Sequence, residues 1–316
     1  MSTCLATPVA LMIFNRPELT ARTFEAIAQA KPEKLFVVAD GPRSPEESER
    51  CRQARAIIER VDWPCEVLTN FADTNLGCRR RISSGLDWVF SEVEEAIILE
   101  DDCVAALSFF SFCQELLEKY RHDERVMHIG GCNFQDEDQT PYSYYFSRYL
   151  HVWGWATWRR AWELFDVNMS SWPETRTSIA DLFDDDVERD YFVGAFELGF
   201  QGDDQIWDYM WSYACLAQSG LSVVPHVNLV SNIGWGVDAT HTNQEIPGLA
   251  NRPAGNIGPL RHPPSVLVNR RADKYAFEHV FGGANLRNQQ ATGNSWVGSL
   301  KSKVSQLIRP GRLDRR

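Results

Sequence analysis

Short apolar runs alternate with helical patterns through the first 125 residues, and this alternation restricts the folds that the chain can adopt. The runs are rich in Val, Ile, Leu and Phe, and they are Val9–Phe14, Leu35–Ala39, Glu66–Leu68 and Ala96–Leu99. Continuous apolar runs of this length are typical of strands that are covered on both faces of a sheet. Apolar residues at helical spacing occur in residues 51–61, 82–90 and 109–120, and Pro17 suits a first helical turn. The pattern predicts an α/β fold with a mostly parallel, Rossmann-like sheet flanked by helices.

The charge and cysteine content exclude some classes of partner. The 32 basic and 43 acidic residues give a formal net charge of −11, which argues against a nucleic-acid binder. The 8 cysteines are scattered without the spacing of a zinc site or a disulfide framework, as in reduced proteins. The first residues lead directly into an apolar run without a basic leader, so we expect a cytoplasmic protein.

The rest of the chain is less periodic. Tryptophan is concentrated between Trp153 and Trp235, and the chain becomes polar after about residue 281. The last residues, Lys301–Arg316, hold six basic side chains and one aspartate. A basic tail on an acidic protein predicts a peripheral contact with an anionic membrane surface, at the inner membrane for a cytoplasmic protein. The alternative, which we favour, is a flexible, frayed end.

Three carboxylates, Glu100, Asp101 and Asp102, follow the fourth apolar run. In parallel α/β sheets, ligands bind beyond the carboxyl ends of the strands. Adjacent like charges cost free energy unless a cation neutralises them, and Mn²⁺ and Mg²⁺ prefer carboxylate and phosphate oxygens. The segment therefore predicts a bound metal–diphosphate. The alternative is a surface turn before a helix whose cap is Ser108.

Other charged side chains also lie where a predicted strand ends or a predicted helix begins. Arg16 comes after the first apolar run and suits a contact with a base or a phosphate. Asp40 comes after the second run and could accept a hydrogen bond from a base N–H, although both are also ordinary turn residues. Arg79, Arg80 and Arg81 begin a helix, where positive charge opposes the helix dipole unless an anion lies nearby. We assign to Arg80 a contact with the diphosphate or another part of the substrate, with a solvated helix face as the alternative.

The ordered set of motifs resembles the GT-A glycosyltransferases. The segment Ile98-Leu-Glu-Asp-Asp-Cys-Val104 resembles the Glu-Asp-Asp motif of the inverting N-acetylglucosaminyltransferases of complex N-glycan synthesis. The segment that begins at Trp207-Asp208 is similar to the Trp-Asp motif of that family. Bacterial nucleotide-diphospho-sugar transferases have segments similar to Trp207–Trp211, Asn228–Gly234 and Ala239–Thr242. The resemblance extends over residues 8–242.

This resemblance implies a metal-dependent, inverting transfer from a nucleotide-sugar to a glycan or lipid-linked acceptor. The donor is expected to be a UDP-sugar, with UDP-GlcNAc as one candidate. Residues 1–125 would form the nucleotide-sugar-binding half and 126–280 the acceptor and catalytic half of one GT-A domain, followed by the tail 281–316. Among the donor residues, Asp102 would bind Mn²⁺ or Mg²⁺, Glu100 and Asp101 would contact the nucleotide-sugar, and Arg16 and Asp40 would hold the uridine.

The catalytic base is expected in the second half. The resemblance places it at Asp208, and an inverting transfer needs a carboxylate that deprotonates the acceptor hydroxyl. Asp203 and Asp204 lie close by and are the competing candidates. If Asp208 is buried beside tryptophans, its pKa should rise, as suits a base. The resemblance also makes His241 a metal or diphosphate contact, with an ordinary loop histidine as the alternative.

The aromatic residues suggest where a sugar binds. Aromatic rings pack against the apolar faces of sugars, so we expect Trp153, Gly154 and Trp207 at the acceptor or sugar site. The helical spacing of Trp155, Trp158 and Trp162 instead indicates a core face, and we assign Trp158 and Trp162 to the core. Two alternative functions remain: a sugar nucleotidyltransferase, and a glycan-binding GT-A module without activity. The first usually has a Gly-rich loop where this chain has Phe14–Pro17.

Overall fold

A computed structural model describes residues 4–203, 206–235 and 248–291 of the chain. The strands are β1 (Val9–Ile13), β2 (Lys34–Ala39), β3 (Glu66–Phe71), β4 (Glu95–Glu100), β5 (Cys103–Ala105), β6 (Val126–Gly130), β7 (Tyr144–Ser147), β8 (Trp155–Trp158), β9 (Leu221–Pro225) and β10 (Val230–Asn232). The helices are α1 (Pro17–Ala30), α2 (Pro45–Ala56), α3 (Cys78–Glu92), α4 (Leu107–Lys119), α5 (Arg159–Trp162), α6 (Trp172–Ala180), α7 (Asp186–Phe200), α8 (Trp207–Ala217), α9 (Arg270–His279) and α10 (Gly283–Ala291).

A large sheet has the strand order β3-β2-β1-β4-β8-β6-β9-β7. Strands β3, β2, β1 and β4 are parallel neighbours, and β6 is parallel to β9. Strands β8 and β7 pair antiparallel with their neighbours. Strands β5 and β10 form a separate antiparallel pair. The predicted α/β fold, with a mostly parallel sheet flanked by helices, is confirmed.

The continuous apolar runs form strands that are buried on both faces. Alternate side chains of β1 pack into two different cores, with Val9 and Leu11 on one face and Ala10 and Met12 on the other. Helices α1 and α4 contribute to the first core, and α3 and α8 contribute to the second. Because side chains alternate along a strand, a run with no polar residue must be covered on both sides.

Both predicted halves of the chain contribute strands to the large sheet. Strand β8 lies between β4 and β6, and it pairs antiparallel with both. The first half therefore ends its parallel sheet against a strand from the second half. The division of function between residues 1–125 and 126–280 stays a prediction.

Three local details differ from the sequence-based expectations. Helix α2 ends at Ala56, and Ile57–Arg60 continues as a 3₁₀ turn. Ala106, not Ser108, is the cap residue of α4, and the Ser108 hydroxyl instead accepts a hydrogen bond from Ile257 N at 3.1 Å.

The third difference concerns the tryptophans. Trp155 and Trp158 belong to strand β8, not to a helix, because the spacing spans a strand and the short helix α5. The core assignment of Trp158 and Trp162 is confirmed, since they are 2% and 3% exposed.

Some predictions concern residues that the structure does not describe. His241, Asp204 and the basic tail beyond residue 291 lie outside the described residues. Within those residues, no helix is both long enough and apolar enough to cross a membrane.

Candidate active site

A cavity of about 300 Å³ lies at the carboxyl ends of β1, β2 and β4. These parallel strands end at the same edge of the sheet, so the polar residues that follow them meet there. Five of the predicted site residues line the cavity: Arg16, Asp40, Glu100, Asp101 and Asp102. Its other walls include residues 12–14, Arg43, Asn75 and the start of α3.

Arg16 is paired with two of the three carboxylates. Its guanidinium contacts both oxygens of Asp101, with 3.3 Å between Nε and Oδ2. Its Nη2 also lies 3.0 Å from Asp102 Oδ2. The side chains of Arg16, Asp101 and Asp102 are 12%, 4% and 13% exposed, so this turn is enclosed by protein and is not a surface turn.

The three carboxyl groups crowd negative charge around one guanidinium. Burial, and then the charges of Asp102 and Asp101, raise the pKa of Glu100 to about 8. Burial also raises the pKa of Asp101, although Arg16 opposes this effect. Burial lowers the pKa of Arg16, but the charges of Asp101 and Asp102 outweigh it and raise the pKa above its ordinary value. The cluster favours any further positive charge.

Strand β10 supports Asp102 from the second half of the chain. Asn232 pairs with Cys103, and Asn232 Nδ2 lies 3.4 Å from Asp102 Oδ1. Ile233 N donates to the backbone oxygen of Asp102 at 2.8 Å. A Cβ atom at Gly234 would overlap the Asp102 carboxylate, so this position accepts only glycine without displacement. Asn232, Ile233 and Gly234 thus fix the position of Asp102.

Asp40 holds a loop in place. Its carboxylate accepts from the backbone N–H groups of Gly41, Leu76 and Gly77 and from Asn75 Nδ2, at 2.8–3.2 Å. These four bonds fix the loop that leads into α3, where Gly77 has a φ of +80°. Asp40 lies in the cavity wall as predicted, but its oxygens already have partners. Its contact with uridine stays a prediction.

The three arginines at the start of α3 differ in placement. Arg81 lines the cavity and donates to the backbone and side-chain oxygens of Asn70. Arg79 is buried and donates to Gly199 O and Val167 O. Arg80 is exposed and is not among the residues that line the cavity. Arg79 and Arg81 therefore both donate to carbonyl oxygens, although Arg81 Nε is buried without a partner in the described residues. The structure does not bring Arg80 to the carboxylates. The contact of Arg80 with the diphosphate or another part of the substrate stays a prediction.

Asp208 lies in the first turn of α8, beside a smaller cavity of about 80 Å³. Its Oδ1 atom is buried and has no hydrogen-bond partner in the described parts of the chain. Burial raises the pKa of Asp208 to about 7. This is the direction expected for a carboxyl group packed among aromatic residues. Asp203 lies in the turn before α8, outside the walls of both cavities.

Asp208, beside the smaller cavity, interacts electrostatically with groups that line the larger cavity. Burial is the main cause of the raised pKa of Glu100, and the charge of Asp208 adds to it. Cys78, at the start of α3, lines the larger cavity, and burial raises the pKa of its thiol. The charges of Glu100 and Asp208 both add to this rise. Asp208 is therefore close enough to the carboxylate cluster to interact with it.

Of the three predicted sugar contacts, Trp153 lines one of these two cavities, and Gly154 and Trp207 line neither. Trp153 belongs to the smaller one and makes edge-to-face contacts with Phe134 and Trp235, with ring centroids 5.5 and 5.8 Å apart. Gly154 is buried, has a φ of +71° and has Val230 too close to admit a Cβ atom. Trp207 is 4% exposed and packs against Trp155 in the core. Gly154 and Trp207 thus have structural contacts, and their sugar contacts stay predictions.

Sequence reasoning missed most of the smaller cavity. Besides Trp153 and Asp208, its walls include Phe134, His151, Tyr209, Ser212, Leu249 and Phe281. These residues come from segments that are distant in the chain, and no local pattern indicates that they meet. The supporting role of Gly234 was also missed, although its place in a recognised motif was a usable signal.

The donor set suits a metal ion that receives many of its ligands from a substrate. In the described ranges, no three His, Cys, Asp or Glu side chains form a group that could hold a metal ion. Mg²⁺ is usually bound by one or two carboxylates together with substrate phosphates and water. Asp102 is 13% exposed, lines the cavity and belongs to a cluster of three carboxyl groups around one guanidinium, so it fits such an open site.

Comparisons with known proteins do not identify a family. No family model matches the sequence, and no curated protein matches it. Among the solved structures that resemble the chain is that of UDP-glucose pyrophosphorylase complexed with UDP-glucose, at 10% identity and a TM-score of 0.29. The match covers 50% of this chain and 79% of that chain. A likeness this low identifies neither the family nor the function of the chain.

Proposed function

We propose that the chain is a metal-dependent inverting glycosyltransferase that uses a nucleotide-sugar, with a UDP-sugar as the expected donor, and a glycan or lipid-linked acceptor. The main support is a single arrangement of side chains. An arginine and three carboxyl groups meet at the carboxyl ends of β1, β2 and β4, and Asp208, with a pKa of about 7, is near enough to interact electrostatically with Glu100. The resemblance of the motifs to GT-A glycosyltransferases adds to this support.

On the donor side, Asp102 would hold Mn²⁺ or Mg²⁺, with Asn232 and Gly234 keeping its carboxylate in position. When bound, the cation supplies positive charge that stabilises a leaving diphosphate. Arg16 lies next to Asp102 and is suited to a phosphate contact, because a guanidinium binds anionic oxygens in a bidentate manner. Asp40 and the loop that it fixes would form the wall against the uridine.

On the acceptor side, Asp208 would act as the general base. It would remove the proton of the acceptor hydroxyl as that oxygen attacks the anomeric carbon, and the bond from this carbon to the diphosphate would break. A pKa of about 7 suits this role, because a base works best when its pKa is near the operating pH. Trp153 would offer a ring face or edge to a sugar beside Asp208.

Metal-dependent donor binding and turnover test the proposal. Wild-type protein should be stabilised against heat by one of a panel of UDP- and GDP-sugars with Mn²⁺, and this stabilisation should disappear with a chelator. It should also release the nucleoside diphosphate from that donor. The variant Asp102→Asn should lose metal-dependent binding and turnover while it keeps its fold by circular dichroism. Full activity in Asp102→Asn would exclude this carboxylate as the metal ligand.

The same assay separates the two alternative functions. A sugar nucleotidyltransferase would form a nucleotide-sugar from a nucleoside triphosphate and a sugar phosphate, with release of pyrophosphate. A glycan-binding module without activity would bind oligosaccharides but would not respond to UDP and Mn²⁺. Detection of pyrophosphate, or glycan binding that is independent of UDP and Mn²⁺, would replace the proposed function.

A further inference from the structure

We infer that Arg16 is an internal counter-ion that competes with a divalent cation for Asp102, so that cation and nucleoside diphosphate bind cooperatively. The inference rests on the proposed function, because it assumes that Asp102 is the metal ligand. It adds an energetic role for Arg16: the guanidinium resists metal binding in the free protein and favours it once a diphosphate is present.

The contacts of Asp102 support this competition. Arg16 Nη2 lies 3.0 Å from Asp102 Oδ2, and Asn232 Nδ2 lies 3.4 Å from Oδ1. Both carboxylate oxygens therefore face hydrogen-bond donors. A metal ion needs the same lone pairs, so it must displace a donor or share an oxygen with it. The cationic guanidinium is the costlier neighbour, since it also repels a metal ion.

The position of Arg16 prevents it from simply moving into water. Its side chain is 12% exposed, and it also contacts both oxygens of Asp101, which is itself 4% exposed. Arg16 directly precedes α1, and Thr23 of that helix donates to the backbone oxygen of Asp101 at 3.0 Å. Asp101 therefore holds the guanidinium in the cavity, and a second anion there would replace the contact that Arg16 gives up when it leaves Asp102.

A nucleoside diphosphate provides such a partner. Its phosphate oxygens form charge-assisted pairs with a guanidinium, and they are also the ligands that Mg²⁺ and Mn²⁺ commonly take from substrates. One ligand can thus bind Arg16 and complete the coordination of the cation. Because linkage is reciprocal, the cation must strengthen nucleotide binding by the same factor as the nucleotide strengthens cation binding.

The test measures Mn²⁺ binding to the full-length protein by calorimetry and by the paramagnetic resonance signal of free Mn²⁺, with and without UDP. Wild-type protein should bind Mn²⁺ weakly alone and more tightly with UDP. Arg16→Gln should bind Mn²⁺ alone roughly tenfold more tightly than wild type, equivalent to about 1.4 kcal/mol, and UDP should add less. Equal or weaker binding of Mn²⁺ by Arg16→Gln would overturn the inference.

Two variants control for fold and for charge. Arg43 lines the same cavity but pairs with Glu47, at 2.9 Å between Nε and Oε1, so Arg43→Gln should change Mn²⁺ affinity at most about twofold. If Arg16→Gln unfolds, Arg16→Lys is measured in its place. The ammonium keeps the positive charge but lacks the planar fork that contacts Asp101 and Asp102 together, so a cation displaces it from Asp102 more easily. Arg16→Lys should also bind Mn²⁺ alone more tightly than wild type, and an unchanged affinity would count against the inference.

The outcomes distinguish the inference from the proposed function. If wild-type protein shows no Mn²⁺-dependent binding of UDP or of any nucleotide-sugar in the panel, the proposed function fails, whatever the Arg16 variants do. If UDP and Mn²⁺ bind to wild type but Arg16→Gln leaves the affinity for Mn²⁺ alone unchanged, only the inference fails. Loss of all Mn²⁺ binding in Asp102→Asn would confirm that the measured site is the one beside Arg16.

Discussion

Aspartates of this chain differ in chemistry because their surroundings differ. Asp40 accepts four hydrogen bonds and fixes a loop. Asp101 is paired with the guanidinium of Arg16 in a buried turn. Asp208 has a buried oxygen without a partner in the described residues, and burial raises its pKa to about 7. Asp208 thus has the environment of a residue that exchanges protons near neutral pH.

The proposed role of Asp208 predicts the pH dependence of turnover. Since the base must be ionised, turnover should rise with pH through about 7, the pKa of Asp208. Asp208→Asn should lower kcat by about 100-fold to 10,000-fold and should leave the Kd of UDP with Mn²⁺ nearly unchanged. Steady-state kinetics and calorimetry would measure both quantities. A variant with unchanged kcat would exclude Asp208 as the base and direct attention to Asp203 and Asp204.

The same carboxyl group should make the folded state less stable at higher pH. Its pKa of about 7 when folded exceeds the value near 3.9 of an unfolded aspartate. The folded state therefore binds more protons between these values, and the free energy of unfolding should fall as pH rises from about 4 to about 7. Asp208→Asn should lose this contribution and should have a higher Tm than wild type at pH 8. Asp138 is exposed, so Asp138→Asn is the control, and its Tm should equal that of wild type at pH 8.

At the level of elements, the short pair β5–β10 connects the carboxylate turn to the second half of the chain. Strand β5 follows Asp102 directly, and its register with β10 places Asn232 opposite Cys103. The backbone beyond β10 then passes close to the Asp102 side chain. Asn232 at the end of β10 and the two residues that follow it, Ile233 and Gly234, thus determine the position of a side chain that is more than a hundred positions earlier in the sequence.

Substitution at Gly234 tests this support. In Gly234→Ala the added Cβ would overlap the Asp102 carboxylate, so the carboxylate must shift. We expect Mn²⁺-dependent binding of UDP to weaken by roughly tenfold or more, because an enclosed side chain cannot move without loss of its contacts. Gly258→Ala is the matched control, since a Cβ there meets no atom within 4 Å. Equal nucleotide affinity in the two variants, measured by calorimetry, would contradict the role of this segment.

At the scale of the whole molecule, one sheet joins the two halves. The parallel strands β3, β2, β1 and β4 end against β8, which comes from the second half. Trp155 and Trp158 of β8 pack into opposite cores, one on each face of the sheet. The Asp208 cavity and the carboxylate cavity are therefore positioned by a shared framework.

This arrangement predicts that residues 1–125 do not fold alone. Without β8, strand β4 would expose its backbone edge and part of its buried apolar surface, including Ile97 and Ile98. The isolated fragment should show no cooperative thermal transition by circular dichroism, whereas the full chain should show one. A cooperative melt of the fragment would mean that the first half is an independent domain.

The sequence by itself determined the first half of the fold and one side of the site. Apolar runs identify buried strands, and parallel strands bring their carboxyl ends to one edge, so the meeting of Arg16, Asp40 and the carboxylates follows from local patterns. The burial of Trp158 and Trp162 also follows from their spacing in the sequence. The pattern failed at Trp155–Trp158, because a strand followed by a short helix produced the spacing of one helix.

Only the tertiary structure decided how these residues are used. The pairing of Arg16 with Asp101 and Asp102, the four donors around Asp40 and the turning of Arg79 and Arg81 toward carbonyl oxygens depend on contacts between distant segments. The isolation of the Asp208 oxygen likewise depends on aromatic residues from several elements. Burial and electrostatic pairing are properties of the folded environment, and the residue types alone do not contain them.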